Sequence, residues 1–158
     1  MELKHTEVGA VLLIKRRLTI PEIGAASAAC CDKVFLKASE LGLEVTGPWH
    51  FIAYNLPQDI ETPFDIEFCL PVSSADGLAI EDEISTGTLG NFYCASRTYK
   101  GSLQGLFELG YQPLVAQINA ANGRYTGESR EIYHVWQGPE SDSNVVEIQF
   151  GLLESGSD

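Results

Sequence analysis

A chain of 158 residues with 44% hydrophobic and 20% charged content has the composition of one globular domain, long enough to bury about 70% of its unfolded surface. Its net charge of −12 is unevenly spread: residues 38 to 96 hold ten acidic side chains and no Lys or Arg, a surface that repels phosphate backbones and argues against direct nucleic-acid binding. No apolar run approaches the roughly 20 residues of a membrane span and no signal peptide precedes the first element, so the expectation is a cytoplasmic protein with reduced thiols.

Residues 8–16 (VGAVLLIKR) read as a strand, with Lys15, Arg16 and Arg17 as its solvated end. Thr19 then supplies a cap, Pro21 a first turn and Glu22 a negative charge at the positive end of a helix. That helix carries Ile23, Ala26, Cys30, Val34 and Leu41 at helical spacing and stops at Gly42 or Gly47-Pro48. Residues 49–54 form the next strand. After a polar loop, Ile66, Phe68 and Leu70 alternate with Asp65, Glu67 and Cys69 in a half-buried strand. The cysteines (Cys30, Cys31, Cys69, Cys94) lack metal-type spacing, and Cys30-Cys31 reads as a pair of small buried hydrophobes.

The second half repeats this order. Residues 91–97 read as a strand and 103–121 as a helix closed by Asn122-Gly123, with Pro113 predicting a kink or a separate first turn. Strands at 130–136 and 145–150 follow. Corresponding elements are offset by about 80 residues: Ile66-Glu67-Phe68 matches Val146-Glu147-Ile148, and Trp49-His50-Phe51 matches Arg130-Glu131-Ile132. The sequence therefore predicts a single α+β domain over 1–158, built from duplicated β-α-β-β modules (about 8–72 and 90–152) joined by the acidic stretch 73–90. The modules form one antiparallel sheet with two helices on one face and a ligand cleft at the module junction.

The strand at 130–136 places Glu131, Tyr133 and Val135 on one face and Ile132, His134 and Trp136 on the other. Taken alone, its carboxylate and phenol read as a solvated face. The order of Gly47-Pro48 before a strand ending in Tyr54, Asp65-x-Glu67-x-Cys69-x-Pro71-Val72, Gly101-Ser102, Asn122-Gly123, Glu131-x-Tyr133 and Val146-Glu147-Ile148 covers most of the chain. It resembles the GyrI-like small-molecule-binding domains, the effector-binding modules of AraC- and MerR-type regulators, in a standalone form. The resemblance implies a duplicated fold in which Glu131 is the charge partner of a hydrophobic cation. Tyr54, Trp49 and Tyr99 are the implied cleft aromatics and Glu67 a second acid. A tyrosine common near the second helix start is replaced here by Leu103, with Tyr99 as the substitute phenol.

Three functions follow. The first is capture of a small hydrophobic, cationic ligand. The second is a hydrolase of strained cyclopropanoid electrophiles, with Glu131 activating water, Tyr133 or Tyr99 donating a hydrogen bond, and His50 alongside. The third, implied by the family name, is a protein partner, DNA gyrase. No cofactor or metal is expected; His5, His50 and His134 lack a haem-pocket motif. Exposed strand edges allow a monomer or weak homodimer.

Overall fold

The chain runs β1 (Glu2–Thr6), β2 (Gly9–Leu18), α1 (Ile23–Glu40), β3 (His50–Tyr54), β4 (Phe64–Pro71), β5 (Ile84–Leu89), β6 (Phe92–Lys100), α2 (Gln112–Ala120), β7 (Tyr125–Val135) and β8 (Val145–Leu152) in a computed structural model that describes residues 1–76 and 83–154. The strands form one antiparallel sheet in the order β1-β6-β8-β7-β3-β4-β2-β5. The predicted modules are β2-α1-β3-β4 and β6-α2-β7-β8, and they meet where β3 pairs with β7.

Two strands were not predicted. β1 pairs with β6 at one edge, and β5, inside the acidic connector, pairs with β2 at the other. Residues 77–82 of that connector lie outside the described residues. Ile84 and Leu89 face inward while the uncharged polar run between them meets solvent, which is enough for an edge strand.

Directly opposed residues share a face of the sheet. One row therefore crosses the whole core on a single face: Ile14, Phe68, Phe51, Glu131, Ile148 and Arg97. Both helices cover this face. Cys30, Val34 and Ala38 of α1, at i, i+4 and i+8, pack against Ile14, Ile66 and Phe68. Leu114 and Ile118 of α2 pack against Ala95, Val146 and Ile148.

The helix ends repeat too. Gly42 (φ 66°) is followed by the Leu43 N–H bonded to the Ala38 carbonyl at 2.9 Å, and Asn122 (φ 57°) by the Gly123 N–H bonded to the Ile118 carbonyl at 2.9 Å. Both are left-handed helix stops that satisfy an orphan carbonyl. At the start of α1, the Glu22 carboxylate accepts from the Thr19 N–H at 2.9 Å and its hydroxyl at 2.8 Å.

α2 is shorter than predicted. Residues Leu103–Gly105 form a 3₁₀ turn and Leu106–Tyr111 a π-helical stretch, and the α-helix begins only at Gln112, with Pro113 in its first turn. The opposite face of the sheet carries Val11, Leu13, Ile52 and Cys69 together with polar side chains. Among the described residues no helix is long and apolar enough to cross a membrane.

Candidate functional site

Glu131 stands at the junction of the modules, on the face the helices cover. Across one strand boundary it meets Phe51 of the first module, and across the other Ile148 of the second. Its carboxylate accepts from two phenols: the Tyr133 hydroxyl at 2.5 Å on Oε1 and the Tyr111 hydroxyl on Oε2. These are charge-assisted bonds, the strong class. Among the described residues Glu131 has no basic partner. Burial first, and then the Glu131 charge, push both phenols well above the ordinary tyrosine range, so both remain donors.

Aromatic rings surround the pair. Phe51 lies 4.7 Å from the Tyr133 ring and 4.8 Å from Phe68, Trp136 meets Tyr133 edge-on at 5.5 Å, and Phe150 meets Tyr111 edge-on at 5.9 Å. Aromatic rings beside a half-buried carboxylate are a surrounding that suits a cation.

The structure gathers fewer of the sequence-predicted residues than expected. Glu131 and Tyr133 come together. Trp49 lies on the helix-covered side, packed against the first-module core, and its carbonyl accepts the Tyr133 N–H at 3.1 Å. Tyr99 is buried in the second-module core, but its hydroxyl donates to the Ser102 carbonyl at 2.6 Å, so it is not the substitute phenol.

Tyr54, Glu67 and His50, expected in one cleft with Glu131, lie instead on the helix-free face, where the two-residue period of β3 and β4 sends them. There the Tyr54 hydroxyl donates to Glu67 at 2.9 Å, beside a shallow groove of about 560 Å³ lined also by Lys15, Arg17 and Asp65. Burial first, and then the bond to Glu67, push the Tyr54 hydroxyl well above the ordinary tyrosine range. His50 bonds the Pro48 carbonyl through Nδ1 at 2.9 Å, and burial lowers its pKa, keeping it neutral.

Tyr111 and Phe51 were missed as site residues. Tyr111 lies three residues before the buried Leu114, and that helical spacing is a signal that it faces the sheet. It provides the phenol for which Tyr99 was the expected substitute. Trp136, expected on the face away from Glu131, turns past the end of β7 to reach Tyr133. The thiols are not nucleophilic: burial raises Cys31 and Cys69 to about 12 and Cys94 to about 11.

On the helix-free face, Glu147 of β8 accepts from Lys4 Nζ at 2.6 Å, Ser96 Oγ at 2.7 Å, Gln149 Nε2 at 2.8 Å and His134 Nε2 at 2.8 Å. Burial raises its pKa, but these four bonds outweigh burial and hold it at about 2. Nearby, buried Arg130 pairs with Glu128 at 2.7 Å and stacks 3.8 Å above Phe92.

No protein-family model matches the sequence, and no curated protein matches it. Solved structures do match. The EcmrR–DNA complex superposes with a TM-score of 0.73 at 20% identity over 97% of this chain, which spans 57% of that chain. The EcmrR C-terminal domain alone gives 0.69 at 20% identity, covering 97% of this chain and 98% of that one. SAV2435 bound to tetraphenylphosphonium gives 0.62 at 10% identity, covering 98% and 96%. A hydrolase from Listeria innocua gives 0.61 at 8% identity, covering 96% and 92%. At these identities the likeness is one of fold: the duplicated α+β arrangement of an antiparallel sheet and two helices that the sequence predicts.

Proposed function

We propose that this chain is a small-molecule-binding domain that captures hydrophobic cations at Glu131. The observation that carries the reading is a carboxylate at the module junction, ringed by aromatic side chains and held by two phenol hydroxyls with no basic partner among the described residues. Neutral donors solvate the charge without cancelling it. A cation bound there gains Coulomb attraction to Glu131 and contact with ring faces. The binding of tetraphenylphosphonium by SAV2435, which shares the fold, supports the same class of ligand here.

The cross-strand neighbours of Glu131, Phe51 and Ile148, are apolar, which suits a cation with an apolar shell such as a quaternary ammonium or phosphonium. The test is thermal unfolding with tetraphenylphosphonium. The midpoint should rise with ligand concentration in the native chain and stay fixed in Glu131→Gln. An equal rise in both proteins, or none in either, rejects the reading.

The fold of the Listeria innocua hydrolase and the Glu131–Tyr133 contact favour a second reading, hydrolysis of a strained electrophile with Glu131 as base. Turnover of an activated cyclopropane by the native chain and its loss in Glu131→Gln would support this reading over simple capture.

A further inference from the structure

Pro113 sets a problem for the helical segment that carries Tyr111. It has no N–H, so in an α-helical register the carbonyl four residues earlier, that of Leu109, would lack its donor. The chain instead takes the π-helical path through Leu106–Tyr111, in which the Gln112 N–H bonds the Phe107 carbonyl, and the α-helix resumes behind it. The Leu109 carbonyl is served from the sheet: Arg97 Nε donates to it at 3.2 Å.

Three further observations bear on this contact. Arg97 stands in the same cross-strand row as Glu131, separated from it only by Ile148. Gly110 lies so close to the sheet that a Cβ there would meet Ile148 Cδ1 at 2.7 Å, which fixes the backbone height of the residue before Tyr111. Arg97 also differs from Arg16, Arg17 and Arg130, each of which holds a carboxylate. In a chain with 22 acidic and 10 basic residues, an arginine spent on a backbone carbonyl points to a need at that carbonyl.

We propose that Arg97 is a positioning residue for the Glu131 site: by bonding the Leu109 carbonyl, whose α-helical donor Pro113 removes, it holds the π-helical turn that brings the Tyr111 hydroxyl to Glu131. The contact itself stands on geometry; its importance for ligand capture rests on the reading of Glu131 given above. Arg97 acts through the backbone and touches no ligand.

The hydroxyl protons of Tyr111 and Tyr133, buried and hydrogen-bonded to a carboxylate, should exchange slowly enough to give separate proton resonances, assigned with Tyr111→Phe and Tyr133→Phe. Arg97→Met should abolish the Tyr111 resonance and leave that of Tyr133, whose persistence shows an intact sheet. Arg97→Gln, whose side-chain amide nitrogen takes the place of the arginine Nε, keeps a donor for the Leu109 carbonyl and should retain the Tyr111 signal. An unchanged Tyr111 resonance in Arg97→Met overturns the proposal. If that variant does not fold, Arg97→Gln decides: folded with the Tyr111 signal supports the proposal, and folded without it overturns it.

Tetraphenylphosphonium affinity gives a second readout. Arg97→Met should change it about fivefold in the native background and not at all in the Tyr111→Phe background. An equal effect in both backgrounds overturns the proposal. Failure of the native chain to bind the cation rejects the functional reading instead, and the resonance experiment still decides the role of Arg97.

Discussion

Glu131 and Glu147 lie on neighbouring strands and opposite faces of one sheet, and they are solvated in opposite ways. Glu147 has a lysine, an imidazole, a hydroxyl and an amide on its two oxygens. Glu131 has two phenols. The Glu147 cluster brings positive charge from within the chain, so that carboxylate serves the fold and ties β1 to β8. Glu131 is half-buried among aromatic rings and hydrogen-bonded without a basic partner among the described residues, so a counter-charge there is worth more than in water. The contrast shows what separates a structural buried acid from a candidate receptor: the source of the opposite charge, not the number of hydrogen bonds.

The comparison breaks if the two carboxylates respond alike to mutation. Glu131→Gln should weaken hydrophobic-cation binding by about 100-fold or more, by calorimetric titration, while changing folding stability by less than about 1 kcal/mol. Glu147→Gln should do the reverse. It leaves Lys4 and His134 facing a neutral amide and should cost about 3 kcal/mol in denaturant unfolding, with cation affinity nearly unchanged.

Acid unfolding sharpens the same contrast. The carboxyl of Glu147 is held at about 2, below its ordinary 4.5. Its contribution to stability is therefore complete above about pH 4.5 and is lost as pH falls towards about 2, because the unfolded state takes up the proton first. Stability measured across that window should fall steeply in the native chain and less steeply in Glu147→Gln. The smallest effect is expected from Tyr133→Phe, which removes one of two donors to Glu131 and should cost about 0.5 kcal/mol of stability.

Much of the fold was legible because its signals are local. Alternation marked β4, the small-residue stripe marked α1, and the 80-residue echo of Ile66-Glu67-Phe68 in Val146-Glu147-Ile148 marked the duplication. The edge strands were not legible: β1 and β5 have partners far away in sequence and little apolar pattern of their own. The site was half legible. Glu131 and Tyr133 are two residues apart on one strand, so the strand period alone joins them. Tyr54, Glu67 and His50 were misplaced because the chemistry of their side chains was weighed without the face on which the strand period puts them. Tyr111 has only its three-residue spacing to Leu114 to mark it, and it precedes a helix whose start Pro113 shifts, so its partner on β7 shows only in three dimensions.

The edge strands have one more consequence. β1 precedes the first module but completes the sheet of the second, Lys4 lying beside Cys94, while β5 leaves the first module's last strand and returns to its first. The duplication is interlaced, not tandem. A fragment carrying only the second module would expose the flank of β6 and strand Glu147 without its lysine, so neither half is expected to be a self-sufficient folding unit. Closing the β1–β6 pair requires a loop through the whole first module, which makes it a late event in folding and the natural place for a slow step.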